Sequence, residues 1–161
     1  MPSLVGSEMC IRDRPQAVRL ISQVDSKKRL LQEISEVITV YNKKFIPTLV
    51  FDALMSRETL GATGVGNGVA LPHARIKGLD KVAGAFFKLE KPMDFSSVDR
   101  QPVDLIFALF APEGAGVEHL KALALVSRTL RDASICSKLR ANSNATTMYT
   151  ILTEKMATKA A

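Results

Sequence analysis

The sequence predicts an α/β fold in which a mixed β-sheet is flanked by helices within a single domain. Short apolar segments typical of strands are interspersed with longer segments whose apolar residues recur every three or four positions, as on a buried helix face. A chain of 161 residues, 47% hydrophobic and 24% charged, can enclose one ordinary globular core. Helices packed on a sheet are the layer arrangement that this alternation favours.

The sequence of the first third of the domain predicts one strand followed by two helices. Residues 17–23 alternate as a strand does, and residues 27–41 carry an apolar stripe at helical spacing, with Asp25 or Ser26 as the N-cap. Pro47 suits the first turn of a second helix, which is predicted to end at about Arg57. The residues of that second helix expected to face the core are Leu49, Val50, Ala53 and Leu54.

The remainder predicts three strands and three helices. Strands are expected at residues 68–71, 82–89 and 103–110, and the last of these is apolar enough to be buried on both faces. A helix over 117–131 is followed by a short helix over 133–139 capped by Asp132, and by a final helix capped by Asn144. Inward residues expected in the first of these helices are Leu120, Leu123, Ala124, Val126 and Leu130.

Composition excludes several classes of protein. The formal net charge is +6, but the basic residues are scattered and Trp is absent, so we expect no nucleic-acid surface; the charges indicate a solvated face or an acidic protein partner. No apolar run reaches the length of a membrane span and no signal peptide is visible, which predicts a cytoplasmic protein without membrane insertion. Cys10 and Cys136 stand alone, which predicts no metal site and no disulfide framework.

The first fourteen residues, MPSLVGSEMCIRDR, follow neither the helical nor the strand period. The string LVGSEMCIRDR resembles a peptide that recurs at the ends of translated sequencing reads. We therefore expect residues 1–14 to be non-native and the domain to span residues 15–161.

A glycine-rich segment, GATGVGNGVALPHAR over residues 61–75, carries the clearest functional signal. It is not a P-loop, because no Lys follows the glycines to reach a phosphate. It is not a dinucleotide fingerprint either, since a helix is predicted before it and Pro72 follows. Glycine backbones that expose successive N–H groups can form an anion-binding concavity, which leaves phosphate chemistry open at this segment.

His73, one of only two histidines, closes that segment. A histidine on an apolar run is often purely structural, but Pro72 stiffens the backbone that presents this ring. A neutral imidazole held beside an anion-binding loop is a suitable nucleophile toward a phosphoryl group. The residues alone therefore support either a structural role for His73 or a phosphoryl acceptor.

The segment resembles the active-site motif of enzyme IIA of the bacterial phosphotransferase system, in its nitrogen-regulatory and fructose–mannitol branch. The resemblance continues through LMSRETLGATG, PVDLIFALFAPEG and EHLKALALVSRTLRD, and covers roughly residues 18–156. It implies a single-domain enzyme IIA sandwich, in which a mixed sheet is flanked by helices. It also implies that His73 carries the phosphoryl group.

The resemblance implies a supporting set of residues around His73. His119, at the start of a predicted helix, is expected to contact the phosphoryl group or orient the His73 ring. Arg57 is expected to line the pocket, where its fork of donors suits phosphate oxygens. Residues expected to bind the phosphoryl group are Thr63, Gly64, Gly66 and Asn67. The roles of Glu58 and Arg75 stay open.

The implied activity is phosphoryl transfer from an HPr-like carrier protein, which needs positioning and positive potential and implies no metal and no cofactor. Two uses of the phosphoryl group are possible. The protein is either a regulator of partners such as potassium-transporter or sensor-kinase components, or a sugar-transport enzyme IIA that passes the group to an enzyme IIB. The absence of an attached IIB or membrane domain favours the regulator. A histidine-based hydrolase is disfavoured because no nucleophile–base–orienter series is visible.

Overall fold

The computed structural model of the chain describes residues 17–41, 43 and 45–160. The proposed non-native segment 1–14, with Cys10, lies outside these residues. Within them the structure is a mixed six-stranded sheet with five helices, which confirms the predicted fold class. The strands are β1 Val18–Ile21, β2 Gly64–Gly66, β3 Val69–Ala70, β4 His73–Ile76, β5 Ala83–Met93 and β6 Val103–Pro112. The helices are α1 Lys27–Tyr41, α2 Pro47–Leu60, α3 Val117–Arg131, α4 Ala133–Ala141 and α5 Ala145–Ala160.

Strands β5 and β6 form an antiparallel pair at the centre of the sheet. The sheet order is β1-β5-β6-β3-β2, and β4 also pairs with β6, in parallel. Helices α1 and α2 pack on each other and on β5 and β4, whereas α3, α4 and α5 pack together and reach β6 and β1. Among the described residues no helix is both long and apolar enough to cross a bilayer.

The core is built on the strands predicted to be most apolar. In β6 every residue from Leu105 to Ala111 is buried, as expected for a strand covered on both faces. Five phenylalanines are less than 2% exposed and supply much of the buried area: Phe86, Phe87, Phe95, Phe107 and Phe110. Lys88 is a buried exception, and its Nζ donates hydrogen bonds to the carbonyl oxygens of Arg140 and Asn142 at the end of α4.

Three helix N-termini are capped by the residues that the sequence predicted. Ser26, and not Asp25, accepts a hydrogen bond from the backbone N–H of Arg29 at 3.1 Å. Asp132 accepts from the N–H groups of two α4 residues, and the Oδ1 of Asn144 accepts from the N–H of Thr147. Because each cap satisfies a donor that the helix leaves free, these residues fix where α1, α4 and α5 begin.

Three inward predictions were wrong. Leu49 is 57% exposed because the buried positions of α2 are Val50 and Leu54, one turn apart. Leu120 and Ala124 of α3 are also exposed. The buried stripe of α3 includes two polar residues, His119 and Thr129, so apolar residues alone indicated the wrong phase of that helix.

Candidate active site

His73 is the first residue of β4, a strand that the sequence did not reveal. The strand pairs in parallel with β6, and the carbonyl oxygen of Pro72 accepts a hydrogen bond from the backbone N–H of Leu109 at 3.0 Å. Along β4 burial alternates, with Ala74 and Ile76 buried while His73 and Arg75 are less so. Because alternate residues of a strand share a face, His73 and Arg75 point to the same side.

Two hydrogen bonds fix the protonation of the His73 ring. Its Nδ1 lies 2.7 Å from the carbonyl oxygen of Leu71, which can only accept, so Nδ1 carries the hydrogen. Its Nε2 accepts a hydrogen bond from the Nε of Arg57 at 3.2 Å, so Nε2 carries a lone pair. Both contacts require the neutral tautomer with hydrogen on Nδ1.

Burial lowers the pKa of His73 from its usual value of 6.5, and the positive charge of Arg57 lowers it further. The Leu71 carbonyl and the Glu58 carboxylate act in the opposite direction but do not reverse the shift. A lowered pKa keeps the ring neutral over a wider pH range, and a neutral ring is what a nitrogen nucleophile requires.

Arg57 lies in the last turn of α2, which continues three residues beyond the predicted end, to Leu60. Besides the contact with His73, its Nη1 donates to the carbonyl oxygen of Gly61 at 2.9 Å. The guanidinium therefore bridges the histidine and the chain that leaves the helix. In this position it brings positive charge to the lone pair of Nε2.

His119 lies beside His73 although the two are far apart in sequence. The ring centroids are 5.6 Å apart and the planes are nearly perpendicular, at 84°. His119 is only 4% exposed, and neither of its ring nitrogens has a hydrogen-bond partner. Burial lowers its pKa, and the neighbouring His73 and Arg75 lower it further. A buried ring with free nitrogens is poorly satisfied, and a bound oxygen acceptor or donor would relieve this.

Two open clefts meet at His73 and Arg57. One, of about 320 Å³, is lined by Arg57, Ala62, Thr63, Val65, Leu71, His73, Leu123, Ala124 and Ser127. The other, of about 420 Å³, is lined by Ser56, Arg57, Leu60, His73, Arg75, His119, Leu120 and Leu123. Arg75, whose role the sequence left open, thus shares a cleft wall with both histidines.

Glu58 forms hydrogen bonds with Thr63, which lines the first cleft. The Oγ1 of Thr63 donates to Oε2 of Glu58 at 2.6 Å, and the Thr63 N–H donates to Oε1 at 3.0 Å. Lys27 forms an ion pair with the same carboxylate at 2.6 Å. The Thr63 hydroxyl hydrogen is therefore committed to Glu58, and Glu58, whose role the sequence left open, pairs with a cation.

The glycine-rich segment is a β-hairpin and not an open loop. Asn67 and Gly68 have φ of 57° and 78° and join the antiparallel strands β2 and β3, as a type I′ turn requires. The Asn-Gly dipeptide is the strongest short hairpin signal, and it would have revealed this turn. Gly66 and Asn67 line a separate cleft with Ser127 and Arg131 and do not line the two clefts at His73.

Gly64 is needed for packing, because a Cβ atom there would collide with the side chain and backbone of Ser97. The hairpin turn is fastened by side chains from elsewhere. Asp99 accepts a hydrogen bond from the N–H of Asn67. Arg140 donates to the carbonyl oxygen of Asn67 and also binds the Asp104 carboxylate through two of its nitrogens. These contacts make the glycine-rich segment a rigid support for the strand that carries His73.

The chain matches the model of the family described as "Phosphoenolpyruvate-dependent sugar phosphotransferase system, EIIA 2" over residues 14–155. It is 47% identical over 149 residues to the nitrogen regulatory protein of Bradyrhizobium diazoefficiens, covering 91% of this chain and 95% of that protein. The nitrogen regulatory protein of Escherichia coli K12 is 42% identical over 130 residues, which cover 80% of this chain and 79% of that protein. The fructose-specific EIIA component of Haloferax volcanii is 34% identical over 103 residues, or 64% of this chain and 67% of that protein.

Solved structures agree with the sequence matches. The crystal structure of nitrogen regulatory protein IIA-Ntr from Neisseria meningitidis has a TM-score of 0.81 and 35% identity, covering 93% of this chain and 99% of that one. IIA mannitol from Escherichia coli shares the fold, with a TM-score of 0.71 at 20% identity over 85% of this chain and 96% of that one. By family model, identity and fold, the chain belongs to the EIIA type 2 family of the phosphoenolpyruvate-dependent phosphotransferase system.

Proposed function

We propose that this chain is a phosphohistidine carrier of the nitrogen-regulatory type, which accepts a phosphoryl group on Nε2 of His73 from an HPr-like protein. The observation that carries the proposal is the ring itself. Nδ1 is bound to the Leu71 carbonyl, and Nε2 presents its lone pair beside Arg57 at the meeting point of two open clefts. A neutral, oriented imidazole in a positive setting is suited to attack phosphorus.

The transfer proceeds as an exchange between two imidazoles. The Nε2 lone pair of His73 forms the new N–P bond, while the P–N bond of the carrier breaks and its electron pair returns to the carrier ring. The hydrogen on Nδ1 of His73 stays in place, and the Leu71 carbonyl stabilises the positive charge that the ring acquires. Similar bonds form and break, so the step is reversible.

Three side chains would stabilise the phosphoryl group. When Nε2 binds phosphorus it can no longer accept from Arg57, so that guanidinium turns its donors to the phosphoryl oxygens. His119 has two free ring nitrogens within the site and would donate to one of these oxygens. Arg75 adds positive charge on the same face. Thr63 and Gly64 would support the site without binding the phosphoryl group, since Thr63 already donates to Glu58 and Gly64 packs against Ser97.

The surroundings of His73 suit a protein donor better than a small molecule. Leu60 is 84% exposed and Leu120 is 64% exposed, and both line the cleft that His73 shares with His119. Exposed large apolar residues beside charged groups are typical of interaction surfaces. We infer that the carrier docks on this rim and brings its phosphohistidine over Nε2.

We propose how the phosphoryl group is used from the identity of this chain to its relatives. The two nitrogen regulatory proteins named above match this chain at higher identity and coverage than the fructose-specific relative does. We therefore favour a regulator, with targets such as potassium-transporter or sensor-kinase components, over a sugar-transport enzyme IIA that passes the group to an enzyme IIB. Phosphorylation adds about −1.5 to −2 charges at the rim, which is enough to separate bound from released partners.

Phosphoryl labelling tests whether His73 is the acceptor. Incubation with phosphoenolpyruvate, enzyme I and an HPr-like carrier should give an acid-labile phosphate on the wild type and none on His73→Ala. His119→Ala should still accept label, but more slowly. Label on His73→Ala at the wild-type rate would contradict the assignment.

A pull-down experiment tests whether the phosphoryl group serves regulation or sugar transport. Wild type, His73→Ala as the unphosphorylated form and His73→Glu as a charge mimic are used as baits in cell extract. We expect a partner that distinguishes the His73→Ala bait from the His73→Glu bait. Recovery of an enzyme IIB that becomes phosphorylated, with no state-dependent partner, would favour sugar transport.

A further inference from the structure

We propose that Glu58 is a positioning residue, which sets the tautomer and orientation of the His73 ring through a continuous relay of hydrogen bonds. The inference deepens the proposed phosphoryl-acceptor role of His73 and rests on it. Glu58 does not touch the ring. It acts through Thr63 and Leu71, which lie between the carboxylate and Nδ1.

The relay begins at the Glu58 carboxylate, which is almost fully buried and has a partner at each of its two oxygens. The Glu58 side chain is 5% exposed. Its Oε1 accepts from the Thr63 N–H and pairs with Lys27, and its Oε2 accepts from the Thr63 hydroxyl. A charged acceptor with two bonds to one residue fixes that residue more firmly than a single neutral bond does.

The relay continues through the main-chain N–H and C=O groups of two residues. Thr63 is 3% exposed, and its carbonyl oxygen accepts from the Leu71 N–H at 2.9 Å. Leu71 is 6% exposed, and its carbonyl oxygen accepts from Nδ1 of His73 at 2.7 Å. Each donor and acceptor in the series is buried or half-buried, so water does not readily replace a broken link.

The far end of the relay decides the chemistry. The two neutral tautomers of imidazole are both accessible, and the hydrogen bond at one nitrogen selects between them. A displaced Leu71 carbonyl would release Nδ1 and leave the Arg57 contact at Nε2 as the one remaining hydrogen bond that opposes movement of the hydrogen to Nε2, where it would block the nucleophile. Glu58 therefore contributes to keeping the Nε2 lone pair available.

Lys27 holds the near end of the relay. Its Nζ lies 4.7 Å from the centroid of the buried Phe95 ring, in addition to its ion pair with Glu58. The first residue of α1 is thus linked to the catalytic segment. A purely structural ion pair would add stability here without changing the His73 tautomer, and this difference makes the proposal testable.

The test is nitrogen-15 NMR of the His73 ring in the unphosphorylated protein, which reports the tautomer directly. The variants are Glu58→Gln, which keeps the shape, and the matched pair Thr63→Val and Thr63→Ser. Glu33→Gln is the control, because the partly exposed ion pair of Glu33 with Arg29 lies outside the relay. Circular dichroism and thermal melting establish that each variant is folded.

We expect hydrogen on Nδ1 alone in wild type and Glu33→Gln, and a measurable population with hydrogen on Nε2 in Glu58→Gln and Thr63→Val. Thr63→Ser should restore the wild-type tautomer. The phosphotransfer rate at saturating HPr-like carrier should fall in Glu58→Gln in proportion to the rings that lose the Nε2 lone pair, about twofold when half of the rings carry hydrogen on Nε2, with little change in KM for the carrier.

An unchanged tautomer in folded Glu58→Gln and Thr63→Val would overturn the relay, whatever their melting temperatures. The readout needs no phosphoryl donor. If His73 is not the acceptor, His73→Ala still takes up label while the tautomer shift in Glu58→Gln persists, so the two failures are distinguishable.

Discussion

The Nε of Arg57 lies 3.2 Å from Nε2 of His73 and occupies the lone pair that a phosphoryl group would take. In the unphosphorylated protein the guanidinium N–H therefore occupies the position that the phosphorus atom would take. Phosphorylation must displace this contact, and the same side chain also binds the Gly61 carbonyl. Occupancy of His73 is thus linked to the end of α2, next to the exposed Leu60 on the cleft rim.

Replacing Arg57 by Ala tests this contact through the pKa of His73. The positive charge of Arg57 lowers that pKa, so its removal should raise the pKa measured by NMR titration. Phosphotransfer should slow by about tenfold or more, while the free energy of unfolding changes by only about 0.3–1 kcal/mol, the usual contribution of a charge at a helix end.

Arg57→Lys is the informative companion, because it keeps the charge but cannot form the same fork. Arg57→Lys should keep most of the lowering of the His73 pKa, but it should recover little of the phosphotransfer rate. A rate equal to wild type in Arg57→Ala would show that the guanidinium plays no part in the transfer.

The free energy of unfolding should decrease as the pH falls from above 6.5, the usual pKa of histidine, to below it, because of the two histidines. Burial lowers the pKa of both His73 and His119 below 6.5. As the pH falls through the histidine pKa of the unfolded chain, the unfolded chain binds protons before the folded protein does. The free energy of unfolding therefore falls as the pH falls. Urea unfolding at several pH values measures this decrease.

The chain contains only two histidines, so the double variant His73→Gln, His119→Gln provides a clean control. Its unfolding free energy should be nearly flat over the same interval. The acidic groups with lowered pKa, such as Asp99 and Asp132, have ordinary values near 3.8 and contribute at lower pH. An equal slope in the control would contradict the assignment.

The elements with complete local signals could be predicted from sequence. Helices α1 and α3 begin and end where the apolar period indicated, and Ser26 fixes the first of these starts. Strand β6 was evident from its continuous apolar run. In each case the information lies within one segment of the chain, so no distant partner is needed to recognise it.

Elements that depend on distant pairing could not be predicted in the same way. Strand β4 has four residues and owes its structure to β6, which follows it by some thirty residues. The burial of His119 was not evident either, because a polar residue on a helix is normally assigned to the exposed face. The resemblance to a family, and not the helical or strand period, indicated that His119 and Arg57 lie near His73.

Gly68→Ala should destabilise the protein by about 1–2 kcal/mol. Gly68 has φ of 78°, and an added Cβ would meet the side chains of Arg140 and Asp104. Chemical denaturation gives the free energy. The rate of phosphotransfer should stay close to wild type in the folded fraction, since the turn does not line the clefts at His73.

Gly114→Ala is the matched control, because an added Cβ there meets nothing within 4 Å. It should change stability by less than about 0.5 kcal/mol. Equal effects of the two substitutions would argue against the close packing of the hairpin turn on α4.

Replacing His119 by Leu should separate stability from function. The ring is 4% exposed and both of its nitrogens lack partners, so the folded protein gains no hydrogen bond from it. Removing a buried polar group that is unsatisfied, and filling the space with an apolar side chain of similar size, should leave the unfolding free energy within about 1 kcal/mol of wild type or raise it. Thermal melting measures this effect.

The same substitution should weaken the phosphorylated state. If His119 donates to a phosphoryl oxygen, its loss shortens the lifetime of phospho-His73 and slows transfer from the HPr-like carrier by about ten- to a hundredfold. His119→Gln is the control, since its amide can still donate, and it should recover part of the rate at some loss of stability. A large loss of stability with unchanged transfer in His119→Leu would mean that the ring serves the core of α3 and not the phosphoryl group.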